Sequence, residues 1–231
     1  TIYAGFNRTI DLPFSVVDRS DVTVSFTHAV SDKTMFELKR LPGVEHVEPV
    51  RNVAAVLSHG LNTYRGALTG LPPKPVLNRA LDAEMQPIAL PETGVVLSTA
   101  LAEMLDIEAG EILTVDVREG RQPLLQIPVA GIAQSLLGSP AYMDLDALNR
   151  TLREPGRVSG AYLMIDEAQQ DTIYSALHDM PTVAGVSRKS QALDSFVTMM
   201  NTGAGAIRYV MGGLAFVITF GIVYNAARIA Y

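Results

Sequence analysis

The sequence predicts an α+β chain: a split β-α-β layer, a strand-rich subdomain inserted into it, and a helix that crosses a membrane. Three observations predict this. A strand-helix-strand pattern occurs twice, 139 residues apart; the residues between the two copies alternate like strands and are punctuated by turns; and residues 209–227 carry no charge.

At the N-terminal end, residues 6–17 are apolar and read as a helix, with Pro13 interrupting its continuity. Residues 22–26 (VTVSF) then read as a strand. Ser31 is the expected cap of a helix whose apolar stripe is Thr34, Leu38 and Leu41, and Pro42-Gly43 ends it. A second strand follows through Val44 and Val47.

The second copy begins at residues 161–165 (AYLMI), another strand. Asp166 and Gln169 form a capping-box pattern before a helix striped by Ile173, Leu177 and Met180. Pro181-Thr182 ends that helix, and Val183 and Val186 mark the next strand. The shift of 139 carries Leu38 onto Leu177, Leu41 onto Met180, Pro42 onto Pro181, Val44 onto Val183 and Val47 onto Val186. Two such units in one register are the ingredients of a split β-α-β, ferredoxin-like layer. Two ordinary β-α-β units aligned by coincidence would give the same pattern, so both alternatives stand at this point.

Between the copies, residues 51–159 hold candidate strands at 53–58, 64–70, 94–97, 112–118 and 124–133. Glu119-Gly120 suits a hairpin turn between the last two. Ser98 caps a short helix through Leu101 and Leu105, stopped around Gly110. Asp144 caps another through Leu145, Leu148 and Leu152, stopped by Pro155-Gly156. Residues 71–75 contain two of the chain's prolines side by side and a third close behind, and read as a loop. After Ser187, Leu193, Phe196, Val197 and Met200 fall on one helical face.

The uncharged run at 209–227 is bounded by Arg208 and Arg228, with Tyr209 and Tyr224 suited to the two interfaces. As a helix its nineteen residues rise about 28 Å, near the roughly 30 Å of a hydrocarbon core. Gly212, Gly213 and Gly221 would weaken a soluble helix but suit close packing between membrane helices. A buried helix in a soluble core is the other use of such a run, but nothing else in 231 residues is large enough to wrap it. Both ends of the chain read as cut from a longer polypeptide, since it starts at Thr1 and stops inside an apolar pattern.

Composition narrows the functions. Twenty-four acidic residues against 18 basic ones give a net charge of −6 with no dense basic cluster in the sequence, which argues against nucleic acid. With no cysteine, disulfides, thiol nucleophiles and Cys-based metal sites are excluded. His28, His46, His59 and His178 are scattered without a metal-binding partner three or four residues away. Asp144 and Asp146 read as a helix cap and its neighbour rather than a catalytic pair, and Ser58-His59 lacks a visible third member. Gly203-Ala204-Gly205 lacks the strand-helix context of a nucleotide loop; it is either a hinge ahead of the span or a close helix contact. No catalytic, cofactor-binding or metal-binding residue is therefore expected, and no cofactor.

Several runs taken as a set resemble the FtsX/MacB-type ABC transporter permeases, which include the lipoprotein-sorting Lol permeases. They are residues 19–26 (RSDVTVSF), 41–51 (LPGVEHVEPVR), 94–105 (GVVLSTALAEML), 107–115 (IEAGEILTV), 141–152 (AYMDLDALNRTL) and 216–229 (FVITFGIVYNAARI). The resemblance implies a MacB-like extracytoplasmic domain over 21–195, with a porter-like layer at 21–50 and 160–190 and a sabre-like insert at 51–159. Residues 1–20 would emerge from a preceding membrane span, and 196–231 would enter and cross the bacterial inner membrane. The main domain would face the periplasm or the cell exterior. The implied protein is a non-catalytic permease that moves a lipid, lipoprotein or other hydrophobic cargo. Its implied partners are a cytoplasmic ATP-binding subunit that hydrolyses ATP, the remaining membrane helices of the same permease, a periplasmic protein and membrane lipid. A membrane-anchored scaffold that recruits a periplasmic partner without transport is the alternative, and a membrane-tethered hydrolase lacks a catalytic set.

Overall fold

The computed structural model describes residues 19–82, 86–135 and 139–188. The chain separates into two units, Thr1–Ser187 and Arg188–Tyr231, and of the second only Arg188 is among the described residues. The expected N-terminal helix, the helix after Ser187, the Gly203–Gly205 stretch and the uncharged run at 209–227 all lie outside the described residues. Among the described residues no helix is long and apolar enough to cross a membrane.

The two copies of the repeat form one layer. Strand β1 (Val22–Ser31), helix α1 (Thr34–Lys39) and strand β2 (Val44–His59) make the first. Strand β8 (Arg157–Ile165), a 3₁₀ turn (Glu167–Gln169), helix α4 (Gln170–His178) and strand β9 (Val183–Arg188) make the second. The strands lie in the order β9-β1-β8-β2, with β8 antiparallel to both β1 and β2. Each unit's second strand is on the outside and the two first strands are paired at the centre, which is the split β-α-β arrangement.

Alternation explains which face of this layer is dry. Val22, Val24 and Phe26 of β1 and Ala161, Leu163 and Ile165 of β8 point to one side, and all six are buried. Leu38 of α1 and Ile173 and Leu177 of α4 pack against them in one cluster. Leu41 and Met180, the last members of the two apolar stripes, pack against the same cluster but are only partly buried, because each follows its helix rather than lying within it. The opposite face of the sheet is covered by the segment after β3, where Leu77 and Ala80 pack with Val50 and Tyr162. The buried Glu48 anchors this cover by accepting from the backbone N–H groups of Val76 (2.7 Å) and Leu77 (3.0 Å).

The intervening residues form strands β3 (Asn62–Leu71), β4 (Val95–Ser98), β5 (Ile112–Val117), β6 (Leu124–Ala133) and β7 (Ala141–Asp144). Helices α2 (Thr99–Leu105) and α3 (Leu145–Leu152) follow β4 and β7. The pairings run β2–β3, β3–β7, β7–β4, β4–β6, β6–β5 and β5–β2, so these six strands close into a ring. Closure leaves no sheet edge to protect within the ring. Val53, Ala55 and Leu57 of β2 join Leu113, Val115 and Ile127, and Leu101, Leu105 and Leu148 of the helices, in one buried cluster.

β2 is shared. The separate strands expected through Val44–Val47 and at 53–58 are one 16-residue strand that runs across position 51. Its first half pairs with β8 as far as Val50, and its second half pairs with β3 from Arg51 onward. At about 3.4 Å per residue it spans roughly 50 Å.

Two local expectations are corrected. Ser31 ends β1 instead of capping α1; its hydroxyl accepts from the Lys33 N–H at 3.3 Å, and the N-cap residue is Lys33, which makes no side-chain cap bond. Asp166 caps the 3₁₀ turn, accepting from Ala168 N–H at 3.0 Å, and α4 begins only after that turn. Ser98 and Asp144 do cap their helices, accepting from Leu101 N–H (3.2 Å) and Ala147 N–H (2.9 Å). Helix α2 stops at Asp106, in left-handed backbone (φ 53°), before Gly110 is reached.

Candidate functional site

Where β2 leaves β8 and enters the ring, Arg51 is turned inward, its side chain only 3% exposed. A buried guanidinium must be paired, because leaving it unpaired costs several kcal/mol. Two carboxylates meet it. Glu119, from the β5–β6 turn, and Glu154, from the turn after α3, both accept from Arg51 Nη2, at 2.8 and 2.9 Å. The triad ties β2 to two turns that lie 68 and 103 residues further along the chain.

Burial raises the pKa of Glu119 above the ordinary carboxylate value; Arg51 pulls it down, and the neighbouring Glu154 pushes it up again. The group is therefore easier to protonate than an exposed glutamate. The two turns are held in tight backbone, with Gln122 (φ 50°) and Arg153 (φ 56°) both left-handed. Arg153 is the C-cap of α3, a position where left-handed backbone is common.

Around this triad is a cleft of about 730 Å³. Arg51, Arg121, Arg153 and Arg157 line it together with Glu119 and Glu154. Among the described residues that line it there is no serine, threonine, tyrosine or lysine. What it offers chemically is one buried guanidinium, Arg51, and three exposed ones, Arg121, Arg153 and Arg157, in a chain that is acidic overall.

The residues singled out in the sequence are dispersed. Ser58 Oγ donates to the carbonyl of Thr114 at 3.5 Å, while His59 Nδ1 is 2.8 Å from the carbonyl oxygen of Asp106. The two neighbours thus serve different elements and do not form a nucleophile-base pair. Asp144 is engaged as the α3 cap and Asp146 is exposed. His28, on β1, lines the cleft; His46 on β2 and His178 at the end of α4 are exposed elsewhere. Among the described residues no three His, Cys, Asp or Glu side chains are grouped to hold a metal. Sequence reasoning missed the Arg51 triad, whose members share no local pattern.

No protein-family model matches the sequence, and no curated protein matches it. Solved structures do match. The extracellular domain of the ABC-type transporter YknZ from Gram-positive bacteria is similar at 14% identity and a TM-score of 0.45, over 67% of this chain and 88% of that one. The periplasmic region of MacB from Actinobacillus actinomycetemcomitans is similar at 12% identity and a TM-score of 0.46, over 79% of this chain and 95% of that one. The neighbours in structure are extracytoplasmic domains of ABC-type transporter permeases.

Proposed function

We propose that this chain is part of the permease of an ABC transporter, its described domain lying on the extracytoplasmic side of a bacterial inner membrane. The observation that carries the reading is an order of parts along one chain. A split β-α-β layer opens at Val22, receives a closed ring of strands, resumes at Arg157 and is followed by the uncharged run at 209–227. The six sequence runs that resemble FtsX/MacB-type permeases fall in this same order. The domain division at 21–195 and 196–231 belongs to this proposal.

In this role the chain hydrolyses nothing. A separate cytoplasmic subunit binds and hydrolyses ATP, and the membrane helices carry the movement to the domain, which acts on a lipid, lipoprotein or other hydrophobic cargo. The long shared strand supports such a lever: β2 belongs to the layer and to the ring, so a displacement of one is passed to the other through continuous backbone.

The test is to purify the full-length protein containing this chain from its membrane and identify what accompanies it. A co-purifying ATP-binding subunit is expected, with ATPase activity that changes when the domain is removed from the reconstituted complex. A chain that isolates without any ATPase, bound only to a periplasmic protein, would establish the scaffold alternative instead.

A further inference from the structure

We propose that the cleft beside Arg51 is an oxyanion site that takes a phosphate group, held by Arg121, Arg153 and Arg157 at its rim with Arg51 in its wall. The site stands on its own geometry and does not depend on the permease reading.

Charge comes first. Four guanidinium groups and two carboxylates line the cleft, leaving two positive charges when both glutamates are ionised. Both carboxylates are committed to one nitrogen of Arg51. Among the described residues none of Arg121, Arg153 and Arg157 is ion-paired, and Arg157 is engaged only by donating to the carbonyl of Ala29 at 3.1 Å. A phosphate monoester carries about −1.5 to −2 near neutral pH, which matches the excess. Outside the lining, the carboxylate of Asp32 lies close to Gly156.

The second observation is the state of Arg51. Its Nε and Nη1 are buried and have no hydrogen-bond partner. Buried donors are nearly always satisfied, so these two leave Arg51 with unused hydrogen-bonding capacity beside the cleft. Planar guanidinium groups bind phosphate through paired N–H donors, which a cluster of arginines supplies better than lysines would. The volume of about 730 Å³ admits a phosphate together with the first atoms of whatever carries it.

The experiment is calorimetric titration of the full chain in nanodiscs, at constant ionic strength, with inorganic phosphate and separately with glycerol 3-phosphate. Saturable binding of either is expected. A preference of tenfold or more for glycerol 3-phosphate assigns the site to a lipid headgroup, and equal or tighter binding of inorganic phosphate assigns it to the free ion. Combining Arg121→Gln with Arg157→Gln is expected to weaken binding at least tenfold, with circular dichroism unchanged. Glu119→Gln, which removes a competing carboxylate, is expected to strengthen it several-fold. Arg118→Gln serves as the control, since Arg118 is paired with Asp116 at 2.6 Å and does not line the cleft. Absence of saturable binding overturns the proposal, as does a loss with Arg118→Gln equal to that with the combined Arg121→Gln and Arg157→Gln variant, which would reveal only a diffuse field.

Discussion

Thr23 of β1 and Tyr162 of β8 stand directly opposite each other at the centre of the layer, and they are 139 residues apart, the same shift that relates the two repeats. A local two-fold therefore passes through this pair. It exchanges the flanking pairs Val22–Leu163 and Val24–Ala161. It also exchanges two hydrogen bonds between the units: Thr27 N–H to the Thr182 carbonyl (3.0 Å) and Asp166 N–H to the Gly43 carbonyl (2.8 Å). Coincidental alignment of two β-α-β units would not place equivalent residues on a common axis. The repeat is a symmetry of the layer.

The symmetry makes a prediction about the core. Leu38 and Leu177 are equivalent and both fully buried in one cluster. Leu177→Ala and Leu38→Ala should each cost about 2–5 kcal/mol, because a cavity remains in a closely packed layer. Leu41→Ala and Met180→Ala should cost less, since both are only partly buried. Urea unfolding of the four variants checks the ranking. A Leu177→Ala loss below about 0.5 kcal/mol would mean that α4 is not packed as described.

Two glycines are fixed by different constraints. A Cβ on Gly160 would lie 2.6 Å from the Val24 carbonyl oxygen, so β1 and β8 approach too closely there for any side chain. Gly43 has φ +87°, and a Cβ there would meet Gln169 Cβ at 2.8 Å. Gly160→Ala should cost about 1–3 kcal/mol through overpacking, and Gly43→Ala about 1–2 kcal/mol through backbone strain alone. Thermal melts that find either variant as stable as the parent would contradict these contacts.

How far the sequence could be read depends on the range of the interaction. The caps Ser98 and Asp144 and the hairpin around Glu119-Gly120 were legible because each is set within a few residues of chain, and the repeat because each copy carries its own strand-helix-strand pattern. The ring was not, because its closure needs the four-residue strand β7 to lie parallel to β3 and antiparallel to β4. So short a strand leaves no periodicity to detect. The unity of β2 was hidden for another reason: its exposed faces change where it passes from the layer into the ring, so one strand reads as two. Arg51, Glu119 and Glu154 converge only after the ring has closed. Each alone is an ordinary charged residue.

The Arg51 triad predicts a specific pH response. The pKa of Glu119 in the folded protein lies above its unfolded value, so the folded state holds the proton more tightly. Ionised Glu119 therefore lowers stability once the pH exceeds the folded pKa. As the pH falls through the window between the raised and the ordinary value, that loss is recovered, and below the ordinary value it is fully recovered. Glu119→Gln should flatten this part of the profile and leave stability at neutral pH equal or slightly higher. Arg51→Ala should behave oppositely, destabilising by about 3–5 kcal/mol at neutral pH by leaving two carboxylates facing each other. Denaturation of both variants across pH 4 to 8 (about the range in which perturbed carboxylates titrate) separates these responses. An unchanged slope in Glu119→Gln would show that another group governs this range.

The last prediction concerns where the domain ends. Among the described residues the three buried clusters are built from residues between Val22 and Val186, so residues 19–188 hold a core of their own. Residues 19–188 expressed alone should be soluble and unfold cooperatively, while the full chain should sediment with membranes. The reason is the contrast between the two parts. The strands hide their apolar faces within the layer and the ring, whereas the nineteen residues at 209–227 form one continuous run without a charge. Placing an arginine at Gly213, near the start of that run, should weaken insertion by less than the roughly 2.5–3.5 kcal/mol that a charge costs at the centre of a bilayer-spanning helix. Fractionation of the fragment, the full chain and the Gly213→Arg variant decides the matter. A fragment 19–188 that stays on the membrane or fails to fold, or a full chain that remains soluble, would place the boundary elsewhere.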